Sequence, residues 1–195
     1  MPTVGIFAGS KNPTDPAILL AATQLGRKLA EAGYDIVYGG GTQGVMGAVA
    51  RSALAAGGKV TAVVLEKYKD ENQFEGANTL FVKTEQERFV ALTTYNNPVA
   101  SFAMPGSAGS MREVFQALES AIYENGPPVV LVQVGKYQDG LKEAFDLSVA
   151  AGMTKADKQD RLRLWPVTAP LDDAFNPKPR DPEAGIPGLY KGLGR

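Results

Sequence analysis

Few residues in this chain can do chemistry, because its 195 positions include neither histidine nor cysteine. The absence of His excludes a Ser-His-Asp triad and an imidazole base near neutral pH. The absence of Cys excludes thiolate nucleophiles, disulfides and zinc–thiolate sites. Catalysis must therefore use carboxylates, amines, guanidinium groups, hydroxyls or the backbone. A metal site would need oxygen ligands alone, and we expect neither a metal nor a cofactor.

Three loops of small residues have the composition of an anion site. They contain Gly9 and Ser10; Gly39, Gly40, Gly41 and Thr42; and Pro105, Gly106, Ser107, Gly109 and Ser110. Each follows a strand-like run and leads toward a helix. Glycine lets backbone N–H groups approach a ligand, and a helix N-terminus adds unpaired donors and a positive dipole end. Any one of these loops is also typical of an ordinary strand–helix turn. Together at one sheet edge, the three predict a phosphate site.

Two charged residues are candidates for the chemistry beside these loops. Glu113 lies one turn into the helix after the third loop, off the apolar face expected for Met111, Val114 and Phe115. It is therefore expected to point over the loop, although an acid in a first helical turn also simply complements the helix dipole. Arg88 lies early in another helix and could bind phosphate with its fork of donors. An exposed salt bridge is the alternative for Arg88.

Two familiar nucleotide motifs are disfavoured. Residues 39–44 match G-x-G-x-x-G, and Glu66 follows about 20 residues later, as in a dinucleotide fingerprint. However, three adjacent glycines satisfy that pattern easily, and the motif follows the second strand where the fingerprint usually follows the first. The Gly-Lys-Ser/Thr ending of a Walker loop is absent.

The elements that must position these residues alternate between strands and helices. Strands are predicted at 3–8, 34–38, 59–65, 79–83, 98–104, 128–134 and 161–165, and helices at 15–32, 42–56, 85–95, 107–124 and 140–151. Residues 66–78 are predicted as a polar loop. The alternation predicts an α/β fold, a parallel sheet with helices on both faces. Six of the 13 prolines lie from Pro166 onward, so residues 166–195 are predicted to form an irregular Pro/Gly-rich tail.

Several segments together resemble one family, the LOG (Lonely Guy) phosphoribohydrolases, often mislabelled lysine decarboxylases. Residues 5–10 resemble its FCGS-type loop, residues 38–50 its YGGGxxGLMGxVA pattern, and residues 104–113 its PGGxGTxxE signature. Arg88 falls near the arginine of the helix upstream of that signature. The likeness covers roughly residues 3–135, and the YGGG segment is its most specific part.

The resemblance implies a single Rossmann-like, doubly wound nucleotide-binding domain over residues 1–165, in a homodimer. It implies hydrolysis of the N-glycosidic bond of a nucleoside 5′-monophosphate, AMP-like or a cytokinin riboside monophosphate, to free base and ribose 5-phosphate. By position, Arg88 and Glu113 would be the catalytic pair. The 39–42 loop, Met46 and the 105–110 loop would bind the nucleotide, with its phosphate at the last.

The third signature departs from the family pattern. Ser107 replaces its second glycine, Ser110 replaces its threonine while keeping a hydroxyl, and Arg112 stands where many members carry an acid. These changes leave an alternative open, a non-catalytic nucleotide or molybdenum-cofactor carrier of the same fold.

Charge and hydropathy exclude other partners. A net charge of −1 gives no indication of a basic surface for nucleic acid. The sequence has no run of 18 apolar residues, so no membrane span is predicted. The amino terminus lacks the features of a signal peptide. A cytoplasmic location is the default expectation.

Overall fold

A computed structural model describes residues 1–70 and 74–176 of the chain. The strands are β1 (Thr3–Phe7), β2 (Asp35–Tyr38), β3 (Val60–Leu65), β4 (Asn78–Val82), β5 (Ala100–Ala103), β6 (Val129–Gln133) and β7 (Leu162–Pro166). The α-helices are α1 (Pro16–Glu31), α2 (Gly44–Ala55), α3 (Glu85–Thr94), α4 (Ala108–Tyr123), α5 (Asp139–Ala150) and α6 (Asp172–Phe175). Short 3-10 helices occupy Glu66–Tyr68 and Ala156–Arg161.

The seven strands form one sheet, in which every pairing is parallel, in the order β4-β3-β2-β1-β5-β6-β7. The chain first builds outward from β1 through β2, β3 and β4. It then crosses to the other side of β1 and continues through β5, β6 and β7. The direction of winding therefore changes between β1 and β5, where a crevice opens at the carboxyl ends of the strands. The predicted α/β, Rossmann-like sheet is confirmed.

Helices cover both faces of this sheet, as predicted. On one face, α1, α2 and α6 pack on strand residues such as Ile6, Tyr38 and Phe102. On the other, α3, α4 and α5 pack on the alternate residues, such as Phe7 and Val37. Such strands, buried on both faces, need the nearly continuous apolar runs seen in the sequence.

The contact between α1 and α2 depends on a glycine. A Cβ built on Gly26 would lie 2.2 Å from the carbonyl oxygen of Val49 and 2.2 Å from Ser52 Oγ. Only glycine allows this closeness. The close packing fixes α2, and with it the loop from Gly39 to Thr42 that leads into the helix.

Two predicted irregular segments contain secondary structure where they are described. Residues 66–78 begin with a 3-10 turn and end at the first residue of β4. In the predicted tail, α6 buries Ala174, and the Phe175 ring stacks on Tyr34 with centroids 4.8 Å apart. These apolar contacts order residues that proline content alone suggested were irregular. Residues 177–195 lie outside the described residues. No helix in the described ranges is long and apolar enough to cross a membrane.

Candidate active site

Arg88 is fixed at the start of α3 by a capping box. The Thr84 hydroxyl accepts a hydrogen bond from the Glu87 backbone N–H, and the Glu87 carboxylate accepts one from the Thr84 N–H. This reciprocal pair satisfies two of the unpaired donors of the helix start. It thereby places Arg88 in the first turn, facing the carboxyl ends of the central strands.

The Arg88 guanidinium connects three separate elements. Its Nε donates to the Val63 carbonyl in β3 at 3.3 Å, and its Nη2 donates to the Gly39 carbonyl after β2 at 3.2 Å. Its Nη1 donates to Glu113 Oε1 in α4 at 2.9 Å. Two of its five N–H groups are not used by these bonds. The guanidinium is therefore held in one orientation and keeps donor capacity toward a ligand.

Glu113 lies on the buried face of α4, which corrects an expectation from the sequence. The apolar pattern placed Met111, Val114 and Phe115 on one face with Glu113 beside it. In the structure Met111 and Phe115 are exposed, whereas Glu113 is buried with Val114. The reason is the ion pair with Arg88, because burial of a carboxylate is tolerated when it is paired and hydrogen-bonded.

Burial raises the pKa of the Glu113 carboxyl, because removal from water disfavours its charged form. The positive charges of Arg88 and Arg112 and the Arg88 hydrogen bond act in the opposite direction, and the negative charge of Glu85 adds to the rise. A carboxyl whose pKa is raised in a cleft is a candidate for proton transfer.

Gly39 makes room for Arg88. A Cβ built on Gly39 would lie 2.0 Å from Arg88 Nη2 and 3.2 Å from Met46 Sδ. This residue of the predicted glycine loop therefore helps to place the arginine. Gly40 has a structural role instead. Its φ of +80° lies in the left-handed region that favours glycine, and a Cβ at this position would clash with Val64.

The third small-residue loop meets the first at the crevice. A Cβ on Gly106 would lie 2.2 Å from Ser110 Oγ, and a Cβ on Gly9 would lie 3.4 Å from the Gly106 Cα. Ser107 is the N-cap of α4, but its side chain makes no capping hydrogen bond. Tyr137, in the loop after β6, donates its hydroxyl proton to the Gly106 carbonyl. The N-terminus of α4 thus presents backbone donors to the crevice, as an anion site requires.

Three neighbouring cavities open along this edge of the sheet. Cavity A, of about 410 Å³, has apolar walls at Val64, Leu65 and Tyr68. Cavity B, of about 190 Å³, has Glu113 and the N-terminus of α4 in its wall. Cavity C, of about 330 Å³, lies toward Tyr137. These sizes together are suited to a ligand larger than a phosphate ion.

The cavities share walls. Cavities A and B have Ser10, Met46, Glu85 and Arg88 in common. Cavities B and C have Gly9, Ser10 and Ser107 in common. A ligand in cavity B can therefore extend into either neighbour, and Arg88 is within reach of both A and B.

The candidate residues from the sequence fall into four places. Cavity B is lined by Gly9, Ser10, Met46, Arg88, Ser107, Gly109, Ser110 and Glu113. Cavity A adds Gly39, Gly41 and Thr42, and cavity C adds Pro105 and Gly106. Gly40 lines none of these three cavities.

Sequence reasoning missed several side chains in these walls, among them Glu85, Tyr68 and Tyr137. Glu85 lines cavities A and B, and its i,i+3 spacing from Arg88 was a usable signal because such residues share a helix face. Tyr68 and Tyr137 come from distant loops, and no local pattern could have assigned them. Residues 1–70 and 74–176 contain no group of three or more Asp and Glu side chains placed to hold a metal ion.

Comparison with known proteins gives the family. A family model described as possible lysine decarboxylase matches residues 46–174. A rice protein named probable cytokinin riboside 5′-monophosphate phosphoribohydrolase LOGL1 is 33% identical over 156 residues, which are 78% of this chain and 69% of the relative. The chain belongs to the LOG family.

A bacterial LOG relative matches more of its own length. The cytokinin riboside 5′-monophosphate phosphoribohydrolase of Mycobacterium tuberculosis is 26% identical over 163 residues, covering 82% of this chain and 86% of the relative. Among solved structures, a molybdenum cofactor carrier protein from Chlamydomonas reinhardtii superposes with a TM-score of 0.63 over 90% of this chain and 94% of that one, at 22% identity. At that identity the likeness shows that the LOG fold is shared, and no more.

Proposed function

We propose that the protein hydrolyses the N-glycosidic bond of a nucleoside 5′-monophosphate, AMP-like or a cytokinin riboside monophosphate, to free base and ribose 5-phosphate. The observation that carries this proposal is the largely buried Arg88–Glu113 pair, with Nη1 and Oε1 2.9 Å apart, beside the N-terminus of α4. LOG-family relatives named as phosphoribohydrolases support the same reaction.

The proposed ligand follows the order of the cavities. The 5′-phosphate occupies cavity B, where the N-terminus of α4 supplies backbone N–H groups near Ser107, Gly109 and Ser110. The base occupies cavity A, between the glycine loop and the walls at Leu65 and Tyr68. The ribose then lies at the wall common to both cavities, and the glycosidic bond lies beside Arg88.

The reaction suits a carboxylate and an arginine. As the bond from C1′ to the base nitrogen breaks, its electron pair leaves with the base and positive charge develops on the ribose. The Glu113 carboxylate stabilises that charge and takes a proton from the water whose oxygen bonds to C1′. The departing base takes up one proton, which balances the proton that Glu113 removes from water, so one water is consumed overall. Arg88 holds Glu113 in position and offers its remaining donors to the ligand.

The test is the variant Glu113→Gln, which keeps the shape of the side chain and one acceptor oxygen but removes its charge. We expect kcat to fall by about 10²–10⁴, the usual contribution of a positioned acid or base. The Kd for AMP should stay within a few-fold. Free base would be quantified by chromatography across a panel of nucleoside monophosphates.

The matched control is Glu119→Gln, on the exposed side of the same helix. It should leave both kcat and Kd unchanged. Release of no base from any nucleotide by the wild-type protein, with AMP binding intact, would refute hydrolysis.

The altered signature favours a second candidate, a non-catalytic nucleotide or molybdenum-cofactor carrier. Ser107 puts a side chain in the wall of cavity B where the family pattern has glycine. A carrier would copurify with a bound cofactor, detected by absorbance and mass spectrometry, and would release no base. An empty protein that turns over nucleotides would exclude this role.

The homodimer, which the resemblance implies, and the cytoplasmic location, which is the default expectation from the sequence, stay predictions. The residues that the structure describes test neither of them.

A further inference from the structure

Glu85 is a carboxylate in the crevice to which the proposed reaction gives no role. It is the first residue of α3 and lines both cavity A and cavity B. Its side chain is 48% exposed, so it remains accessible to a ligand. It therefore stands at the wall where the two cavities meet, beside Arg88.

Two cations hold Glu85 in place without using its hydrogen-bonding capacity. Its Oε2 lies 3.7 Å from Arg88 Nη1 and 3.7 Å from Arg112 Nη2. Both separations allow ionic attraction but exceed hydrogen-bond distance. Within residues 1–70 and 74–176, no group donates a hydrogen bond to the Glu85 carboxylate. Its oxygens are thus positioned and able to accept from a ligand.

We propose that Glu85 accepts hydrogen bonds from the ribose hydroxyls of the nucleotide and so selects ribonucleotides over 2′-deoxyribonucleotides. The inference rests on the proposed function, which places the ribose where cavities A and B meet. In dinucleotide-binding α/β folds, a carboxylate at the crevice accepts a hydrogen bond from the ribose 2′-hydroxyl. Two oxygens of one carboxylate can also accept from two vicinal hydroxyls.

A simpler role for Glu85 is to complement the dipole of α3. That role is already filled by Glu87, which lies in the same turn and completes the capping box. Glu87 lines neither cavity A nor cavity B. The two acids therefore provide an internal comparison, one turned to the helix end and one to the crevice.

The experiment compares AMP with 2′-deoxy-AMP. We expect the wild-type protein to bind AMP about ten-fold more tightly or better, since one hydrogen bond to a charged group is typically worth at least that factor. In Glu85→Ala, which removes the acceptor and retains a good helix former, the ratio of the two Kd values should fall to within about two-fold. Calorimetry measures both constants with Glu113→Gln as the common background, so that AMP is not consumed during the titration.

Two controls act on the same helical turn. Gln86→Ala shortens an exposed neighbour that lines neither cavity, and Glu87→Gln removes a charge while keeping a side chain that can complete the cap. Both should retain the wild-type ratio. A general loosening of α3 would weaken both ligands equally and leave the ratio unchanged, so the ratio separates recognition from structure.

The outcomes separate the two proposals. If Glu85→Ala keeps the wild-type ratio, or if the wild-type protein binds AMP and 2′-deoxy-AMP equally, the role of Glu85 is refuted while the hydrolase proposal stands. If the wild-type protein binds neither nucleotide, the proposed function fails and this inference fails with it.

Discussion

Substitution of Gly39 by alanine tests whether catalysis depends on the position of Arg88. The new Cβ would lie 2.0 Å from Arg88 Nη2, and real Cβ contacts essentially never fall below 3.0 Å. The guanidinium must therefore withdraw by about 1 Å or more. A misplacement of about 1 Å can cost about 10²-fold in rate, which corresponds to about 2.7 kcal/mol of transition-state stabilisation.

The same substitution should leave the protein folded. The clash is with the end of a long side chain, and the φ of Gly39 is outside the left-handed region. Withdrawal loses the 3.2 Å hydrogen bond to the Gly39 carbonyl, worth about 1.5–3 kcal/mol for a charged donor. Alanine in place of glycine stabilises the folded state by about 0.4–1 kcal/mol, because it restricts the unfolded chain. We expect a melting temperature only several degrees lower.

The assay is base release from AMP, with circular dichroism to follow folding. Gly140→Ala is the matched control, because a Cβ there meets nothing within 4 Å and the residue lies in α5, away from the crevice. We expect kcat/KM to fall about 10²-fold in Gly39→Ala and to stay unchanged in Gly140→Ala. A folded Gly39→Ala protein with activity within about two-fold of wild type would refute the requirement for the observed Arg88 position.

Three further predictions concern the Arg88–Glu113 ion pair. Because the pKa of Glu113 is raised, the acid limb of kcat against pH should lie above the ordinary glutamate value of about 4.3, and a limb at or below that value would contradict the assignment. A raised folded-state pKa also means that the stability contributed by this group is complete below the unfolded pKa and is lost as pH rises through the folded pKa. Glu113→Gln should accordingly melt higher than wild type near neutral pH, with the gap closing in acid; a constant gap would argue against it. Arg88→Lys keeps one charge but loses the fork that reaches Val63, Gly39 and Glu113 together, so kcat/KM should fall at least about 10²-fold, measured by base release, and near-normal activity would show that charge alone suffices.

Local sequence pattern was sufficient to predict the sheet. Parallel strands buried on both faces need apolar runs such as residues 129–132, and the helices between them carry one apolar stripe each. The three glycine-containing loops therefore fell on one edge by topology alone. What the pattern could not supply was the strand order, because pairing partners are set by contacts distant in sequence.

The buried face of α4 shows where hydropathy fails. Met111 and Phe115 are apolar yet exposed, and Glu113 is charged yet buried. A periodicity argument assigns burial residue by residue, whereas Glu113 is buried because an arginine 25 positions away meets it. Both members of the pair could be named from the sequence, but their contact is a tertiary property.

The hydrogen bond from Tyr137 to Gly106 has a consequence for the direction of the neighbouring amide. In a planar trans peptide, the carbonyl of one residue and the N–H of the next point in opposite directions. With the Gly106 oxygen facing the Tyr137 hydroxyl, the Ser107 N–H is turned away from Tyr137, and Ser107 also lines cavity B. A hydroxyl from the loop after β6 thus fixes the orientation of one donor of the proposed phosphate site before any ligand arrives, which lessens the ordering that binding would otherwise require.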